Sequence, residues 1–390
     1  MSALRDDILS STVVREAGAF SAHDPFGNFK AEELLARTSR PIIDADSLAY
    51  YTDKIVLVTG GGGTIGSEIC RRIATASPKK LIILDIYENN AYDLEQELIA
   101  EYGTKLDFAV EIGSVRDRAR LDAVFSHYKP QVVFHAAAHK HVPLMEHNSC
   151  EAIKNNVFGT CNVVDMAERH DALKFILIST DKAVNPTSVM GATKRMCEML
   201  IQSRADSATK FAAVRFGNVL GSAGSVIPLF RRQIARGGPL TVTDKRIIRY
   251  FMTVSEAADL VIMAGALAEH GELFLLDMGE PVRILDLAEN MIRLCGLEPY
   301  RDIDIVETGL RPGEKLYEEL LVKGDNLEKT ANDMILIERA SPFSREEIED
   351  KLNILRHAVL AAESELCSPF VIEALRQIVP EFSPSAKPNA

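Results

Sequence analysis

Nowhere in the 390 residues does an apolar run approach the length of about 18 that a bilayer-spanning helix requires. The start, MSALRDDIL, has neither the charged nor the apolar region of a signal peptide, and a cytoplasmic protein is expected. No C-x-x-C pair occurs among the six cysteines (Cys70, Cys150, Cys161, Cys197, Cys295 and Cys367), which excludes a disulfide framework and leaves free, mostly buried thiols. Cations are in deficit, 44 Lys and Arg against 56 Asp and Glu, for a net charge of −12. Non-specific binding to a phosphate backbone needs the opposite balance, so nucleic acid is not an expected partner. Repeats and low-complexity tracts are missing too. Hydrophobic residues, by contrast, make up 47% of the chain, enough for one large domain or two of ordinary size.

Residues 1 to about 50 read as a polar arm and linker with one helix-like patch, Lys30–Arg37. From Lys54 short β-branched runs alternate with helical stretches, as a parallel sheet requires because each crossover needs a helix. Six strands are predicted: Ile55–Thr59, Leu81–Asp85, Phe108–Ile112, Val132–Ala136, Phe175–Ser179 and Phe211–Phe216. They are almost continuously apolar, as strands covered on both faces should be. The fold class expected is α/β, a doubly wound parallel sheet over residues 51–216, with a smaller loop-rich lobe over 217–342 exchanging some chain with it. That lobe carries predicted helices at Ser255–His270 and Ile284–Cys295, and residues 343–390 read as charged helices and a proline-containing tail too polar to add a third core.

After the first strand comes Thr59-Gly60-Gly61-Gly62-Gly63-Thr64-Ile65-Gly66, followed by helical spacing. Gly60 permits a tight turn, Gly63 lets backbone approach a pyrophosphate, and Gly66 lets the helix pack while its amino-terminal amides, from Thr64 and Ile65 onward, face the anion. Asp85 ends the second strand, where a carboxylate accepts from both adenosine ribose hydroxyls and repels a 2′-phosphate. NAD is therefore expected over NADP.

The Gly-x-x-Gly-x-x-Gly spacing resembles that of the extended short-chain dehydrogenase/reductase superfamily, which has a Rossmann-type fold. Ala136, Ala137 and Ala138 resemble its fourth-strand motif, Asn156 its sheet-bracing asparagine, and Ser114 and Val115 its adenine contacts. The segment Ser179-Thr180-Asp181-Lys182 through Met190-Gly191-Ala192-Thr193-Lys194 falls where the superfamily has its catalytic residues, with Met190 in place of the usual tyrosine. A thioether cannot accept a proton usefully, so other groups must do that work.

Residues 179–194, with 135–146, 215–230 and 308–321, resemble the UDP-N-acetylglucosamine 4,6-dehydratases of the polysaccharide-biosynthesis branch, where methionine is usual. The resemblance implies hydride transfer from sugar C4 to NAD, loss of the C5 proton and the C6 hydroxyl, and return of hydride to C6. It assigns Lys182, with its pKa lowered by cofactor charge and burial, as C5 base, and a protonated Asp181 as C6 acid. Thr180 would hold the C4 oxygen, Lys194 would grip the nicotinamide ribose, and Ser179 would line the cofactor site. It also implies retention at C5.

For the UDP-sugar the resemblance points to Asn218, Val226, Arg249 and Arg311 around the diphosphate, to Glu314 on the uridine ribose, and to Lys140 and His141 on the site floor. Thr241–Arg249 and Lys329–Ile335 depart from the family pattern on loops that shape the sugar pocket. His135, His139, His141 and His147 lack a zinc-type spacing, and His135 reads as a satisfied buried histidine. Larger members of the branch carry a membrane anchor ahead of a linker like Glu32–Asp44, and its absence here implies a soluble enzyme. A homo-oligomer paired through helices beside the active site is expected. A UDP-sugar epimerase and a non-catalytic NAD sensor are the alternatives.

Overall fold

The computed structural model of the chain describes residue 34 and residues 43–319, 327–338, 343–362 and 368–384. The helix-like patch at Lys30–Arg37 lies outside them except for Leu34, which is helical and buried. The rest of the arm before residue 43, and Cys367, also lie outside the described residues.

Fourteen strands are described: β1 Ile55–Thr59, β2 Lys80–Asp85, β3 Phe108–Ile112, β4 Val132–His135, β5 Lys174–Ile178, β6 Lys210–Arg215, β7 Asn218–Val219, β8 Leu240–Val242, β9 Ile248–Met252, β10 Glu272–Leu276, β11 Pro281–Arg283, β12 Ile305–Glu307, β13 Leu327–Lys329 and β14 Ile335–Glu338. The main sheet has the order β13-β14-β10-β6-β5-β4-β1-β2-β3. Pairing from β3 to β10 is parallel, and β14 and β13 add antiparallel. All six predicted strands are present within a residue at each end. A seventh parallel strand, β10, joins them from the segment read as the second lobe, and its apolar Glu-Leu-Phe-Leu-Leu run finds its place only by pairing with β6.

The side-chain period of two divides each strand between two cores. On one face Leu57, Val133, Phe175, Leu177, Phe211 and Ala213 are buried together. On the other lie Val56, Val58, Phe134, Ile176, Ala212 and Val214. Helix Val254–Leu267, closed by a Thr253–Glu256 capping box, packs on the second face. The smaller lobe has its own cluster around Phe230, Leu240, Leu287 and Ile292.

The carboxyl-terminal helices Arg345–Ala361 and Pro369–Ile378 make no third core. Their Leu352, Leu355, Val371 and Leu375 extend the first one, over helix Val189–Gln202. Every residue of that helix except Arg195 is buried within the single chain. Among the described residues no helix is long and apolar enough to cross a membrane.

Candidate active site

The sheet reverses its direction of growth between β1 and β4, and ligands of such sheets bind in the crevice this leaves at the carboxyl ends of the strands. There Gly60 adopts φ +69°, and a Cβ on it would stand 2.6 Å from the Ala137 amide nitrogen. A Cβ on Gly66 would stand 2.1 Å from the Gly60 carbonyl oxygen, so both positions tolerate only glycine. Gly63 caps helix Thr64–Thr75 without a side-chain hydrogen bond, which leaves the first amides free for an anion. Ile65 packs partly buried against the core, and the Thr64 hydroxyl accepts from the Ala223 amide of the second lobe.

Asp85 accepts from the Gly62 and Tyr87 amides, each at 2.8 Å, and so braces the glycine loop from the end of β2. Ser114 accepts from the Arg116 amide while Val115 is buried against Gly159. Ala136, Ala137 and Ala138 follow β4 directly. Asn156 clamps that turn, accepting from the His139 amide at 2.8 Å and donating to the His139 carbonyl and the Thr193 hydroxyl. This cradle fits a dinucleotide.

At the end of β5 the Thr180 hydroxyl donates to Asp181 Oδ1 at 2.8 Å, and Lys182 Nζ donates to the same oxygen at 2.9 Å. Lys182 also donates to Asn218 Oδ1 at 3.3 Å. One expectation is corrected. Burial works against the Lys182 ammonium, but Asp181 and Glu318 outweigh it, so its pKa lies above the ordinary lysine value in the free chain, not below. Asp181 has no exposed surface, and its Oδ2 is buried without a hydrogen-bond partner among the described residues. Its link to a substrate therefore runs through the half-buried Thr180 and Lys182.

Helix Val189–Gln202 carries Met190 and Lys194 one turn apart. Met190 is buried within the apolar core, as a thioether should be and a phenol could not be without a partner. Lys194 is buried with its pKa lowered by burial, and no hydrogen bond engages its ammonium among the described residues. The Ser179 hydroxyl is taken by Glu198 at 2.6 Å, which ties the strand end to the buried Arg215.

Of the second-lobe residues, Asn218 reaches Lys182 and the Tyr250 carbonyl, and Val226 opens helix Val226–Ala235. The two arginines differ. Arg249 is buried, with its guanidinium donating to the carbonyls of Ile248, Lys315 and Leu316, whereas Arg311 is exposed and pairs with Glu314. His141 lies against Gly224, and its pKa is lowered by burial, Lys140 and Arg311. The Lys140 ammonium is disfavoured by burial and by Lys182. His135 is satisfied by Thr59 and Thr160 at 2.7 and 2.9 Å, and burial pushes its pKa down to about 3.

Glu318 was not foreseen from the sequence. Its carboxylate lies 3.8 Å from both Lys182 Nζ and Arg249 Nη2. The signal was a pair of acids, Glu318-Glu319, indistinguishable in sequence from a solvated charge run.

Residues 56–340 match the family described as "Polysaccharide biosynthesis protein". The capsular polysaccharide biosynthesis protein CapD of Staphylococcus aureus is 50% identical over 337 residues, 82% of this chain and 56% of that protein. The chain thus spans about half the length of this protein and of the polysaccharide biosynthesis protein EpsC of Bacillus subtilis, which is 53% identical over 297 residues, 76% of this chain and 50% of that protein. An inverting UDP-N-acetylglucosamine 4,6-dehydratase of Campylobacter jejuni is 34% identical, covering 71% of this chain and 80% of its own. A UDP-glucose 4-epimerase of Rickettsia rickettsii is also 34% identical, over 71% of this chain and 82% of its own. The solved structure of Pen from Bacillus thuringiensis superposes with a TM-score of 0.70 at 36% identity, covering 76% of this chain and 92% of that one. Glycine cradle, Thr-Asp-Lys turn and overall match agree: the chain belongs to the polysaccharide biosynthesis protein family, within the extended short-chain dehydrogenases/reductases.

Proposed function

We propose that this chain is a cytoplasmic nucleotide-sugar enzyme that dehydrates a UDP-N-acetylhexosamine, first of all UDP-N-acetylglucosamine, to a 4-keto-6-deoxy product for surface glycan synthesis. The observation that carries this reading is the Thr180–Asp181–Lys182 chain of hydrogen bonds at 2.8 and 2.9 Å, standing where Met190 can move no proton. Residues 51–216 would hold the dinucleotide and 217–342 the UDP-sugar.

Bound NAD, held by the glycine loop, Asp85 and Lys194, supplies a hydride acceptor for C4 and a donor for C6. The chain's own side chains move the protons. Thr180 holds the C4 oxygen or a water that takes its proton as hydride leaves, and the resulting ketone acidifies C5. Lys182 takes the C5 proton as an amine, and Asp181, bonded to both neighbours, passes a proton to the departing C6 hydroxyl. Arg311 offers positive charge to the diphosphate and Glu314 an acceptor to the ribose, while Lys140 and His141 line the site floor.

Incubation with UDP-N-acetylglucosamine in heavy water tests this. Loss of one water with deuterium at C5 is expected. Exchange with no loss of mass would support the epimerase reading, which the equally similar Rickettsia relative favours. No reaction would leave the sensor reading. Retention at C5 belongs to the proposal despite the inverting Campylobacter relative, as does a homo-oligomer paired through helices beside the active site.

A further inference from the structure

Lys182 can take a proton from C5 only as a neutral amine, yet in the free chain its surroundings hold it as an ammonium. The site must therefore contain a place for the proton it sheds. Asp181 is not that place, because on the dehydratase reading it already holds the proton destined for the C6 hydroxyl. Glu318 differs. Its side chain is 4% exposed, its Oε1 lies 3.8 Å from Lys182 Nζ, and its Oε2 is buried with no hydrogen-bond partner among the described residues.

We propose, on the basis of the dehydratase reading above, that Glu318 is a positioning residue that takes the proton Lys182 must lose. The N–H bond at Nζ breaks, an O–H bond forms on the Glu318 carboxyl, and a charged pair becomes a neutral one. Approach by roughly 1 Å brings the two atoms to hydrogen-bond distance, and the contact that yields is the 3.3 Å one from Lys182 to Asn218. Closure over substrate expels water and favours the neutral pair.

The charges facing the pair are consistent with such balance. Burial raises the Glu318 pKa first, Lys182 opposes, Asp181 adds, and Arg249 and Lys315 oppose. Around Lys182 stand Asp181, Glu318 and Arg249, with Lys140 as a further like charge.

The test compares wild-type holoenzyme with Glu318→Gln, reading deuterium incorporation at C5 of UDP-N-acetylglucosamine from about pH 6 to about pH 10. Wild type is expected to be flat near neutrality. Glu318→Gln is expected to be slower by roughly tenfold or more at pH 7 and to recover as pH rises, with KM little changed. In infrared spectra of enzyme labelled with ¹³C-glutamate, adding the sugar nucleotide should raise a protonated-carboxyl band of a glutamate, a readout that stands whether or not the variant folds. An active wild type with no such band, or a Glu318→Gln rate that matches wild type or is lowered equally at every pH, overturns the proposal alone. An inert wild type overturns the dehydratase reading and this proposal together.

Discussion

Glu198 stands at the centre of a buried ionic cluster that anchors the strand end bearing the Thr-Asp-Lys turn. It has no exposure, and Arg215 is 2% exposed. Arg215 donates to Glu198 through Nε at 3.1 Å and Nη2 at 2.8 Å, and to Glu338 through Nη1 at 2.7 Å. Removing one member of a buried pair leaves an uncompensated charge and costs about 3–5 kcal/mol. Glu198→Gln keeps the shape and one acceptor, and Glu338 still faces Arg215, so a loss of about 3 kcal/mol is expected, a large share of the ~5–15 kcal/mol that stabilises a domain.

Urea unfolding followed by circular dichroism measures it, with the slope checked for constancy. Replacing Glu198, Arg215 and Glu338 together by methionine should recover much of the loss, because neither carboxylate of the Arg215 pairs is then left without its cation. A single-variant loss below about 1 kcal/mol, or a triple variant worse than the single, would refute the argument. The pH dependence has a definite sign. Burial raises the Glu198 pKa, but Arg215 outweighs it and the net value lies below that of ordinary glutamate. The pair thus stabilises above about pH 4.3 and is lost as pH falls through the lowered value, and the variant should lack that part of acid unfolding.

Lys182→Met and Asp181→Asn should each slow C5 exchange by roughly 100-fold or more while the fold persists, as circular dichroism would verify. Gly66→Ala should abolish NAD binding in fluorescence titration, because its Cβ would meet the Gly60 carbonyl at 2.1 Å; binding within about threefold of wild type would count against the cradle. Asp259, raised to about 6 by burial against the pull of Arg72, holds its proton to a higher pH in the folded chain than in the unfolded one. Stability should therefore fall from about pH 4 to about pH 6, and Asp259→Asn should remove that fall. Proton couplings at C5 of the product, read by NMR, should show the configuration of the substrate; the inverted sugar would remove the retention reading.

The sequence by itself determined the layered α/β scaffold and the cradle. Apolar runs the length of buried strands, separated by helical stretches, have one compact solution, and glycine at positions 60 and 66 answers steric demands that no other residue meets. His135 was legible for a similar reason, since a buried imidazole must find partners, and Thr59 and Thr160 provide them. Only the tertiary structure decided what depends on contacts far apart in the chain. The run at Glu272–Leu276 became a central strand because β6 had an open edge, and Met190 became core because the carboxyl-terminal helices cover its helix. Lys182 and Glu318, 136 residues apart, owe their ionisation to being brought within 3.8 Å in a place with little water, and charge balance of that kind is a property of distance and burial that no local pattern records.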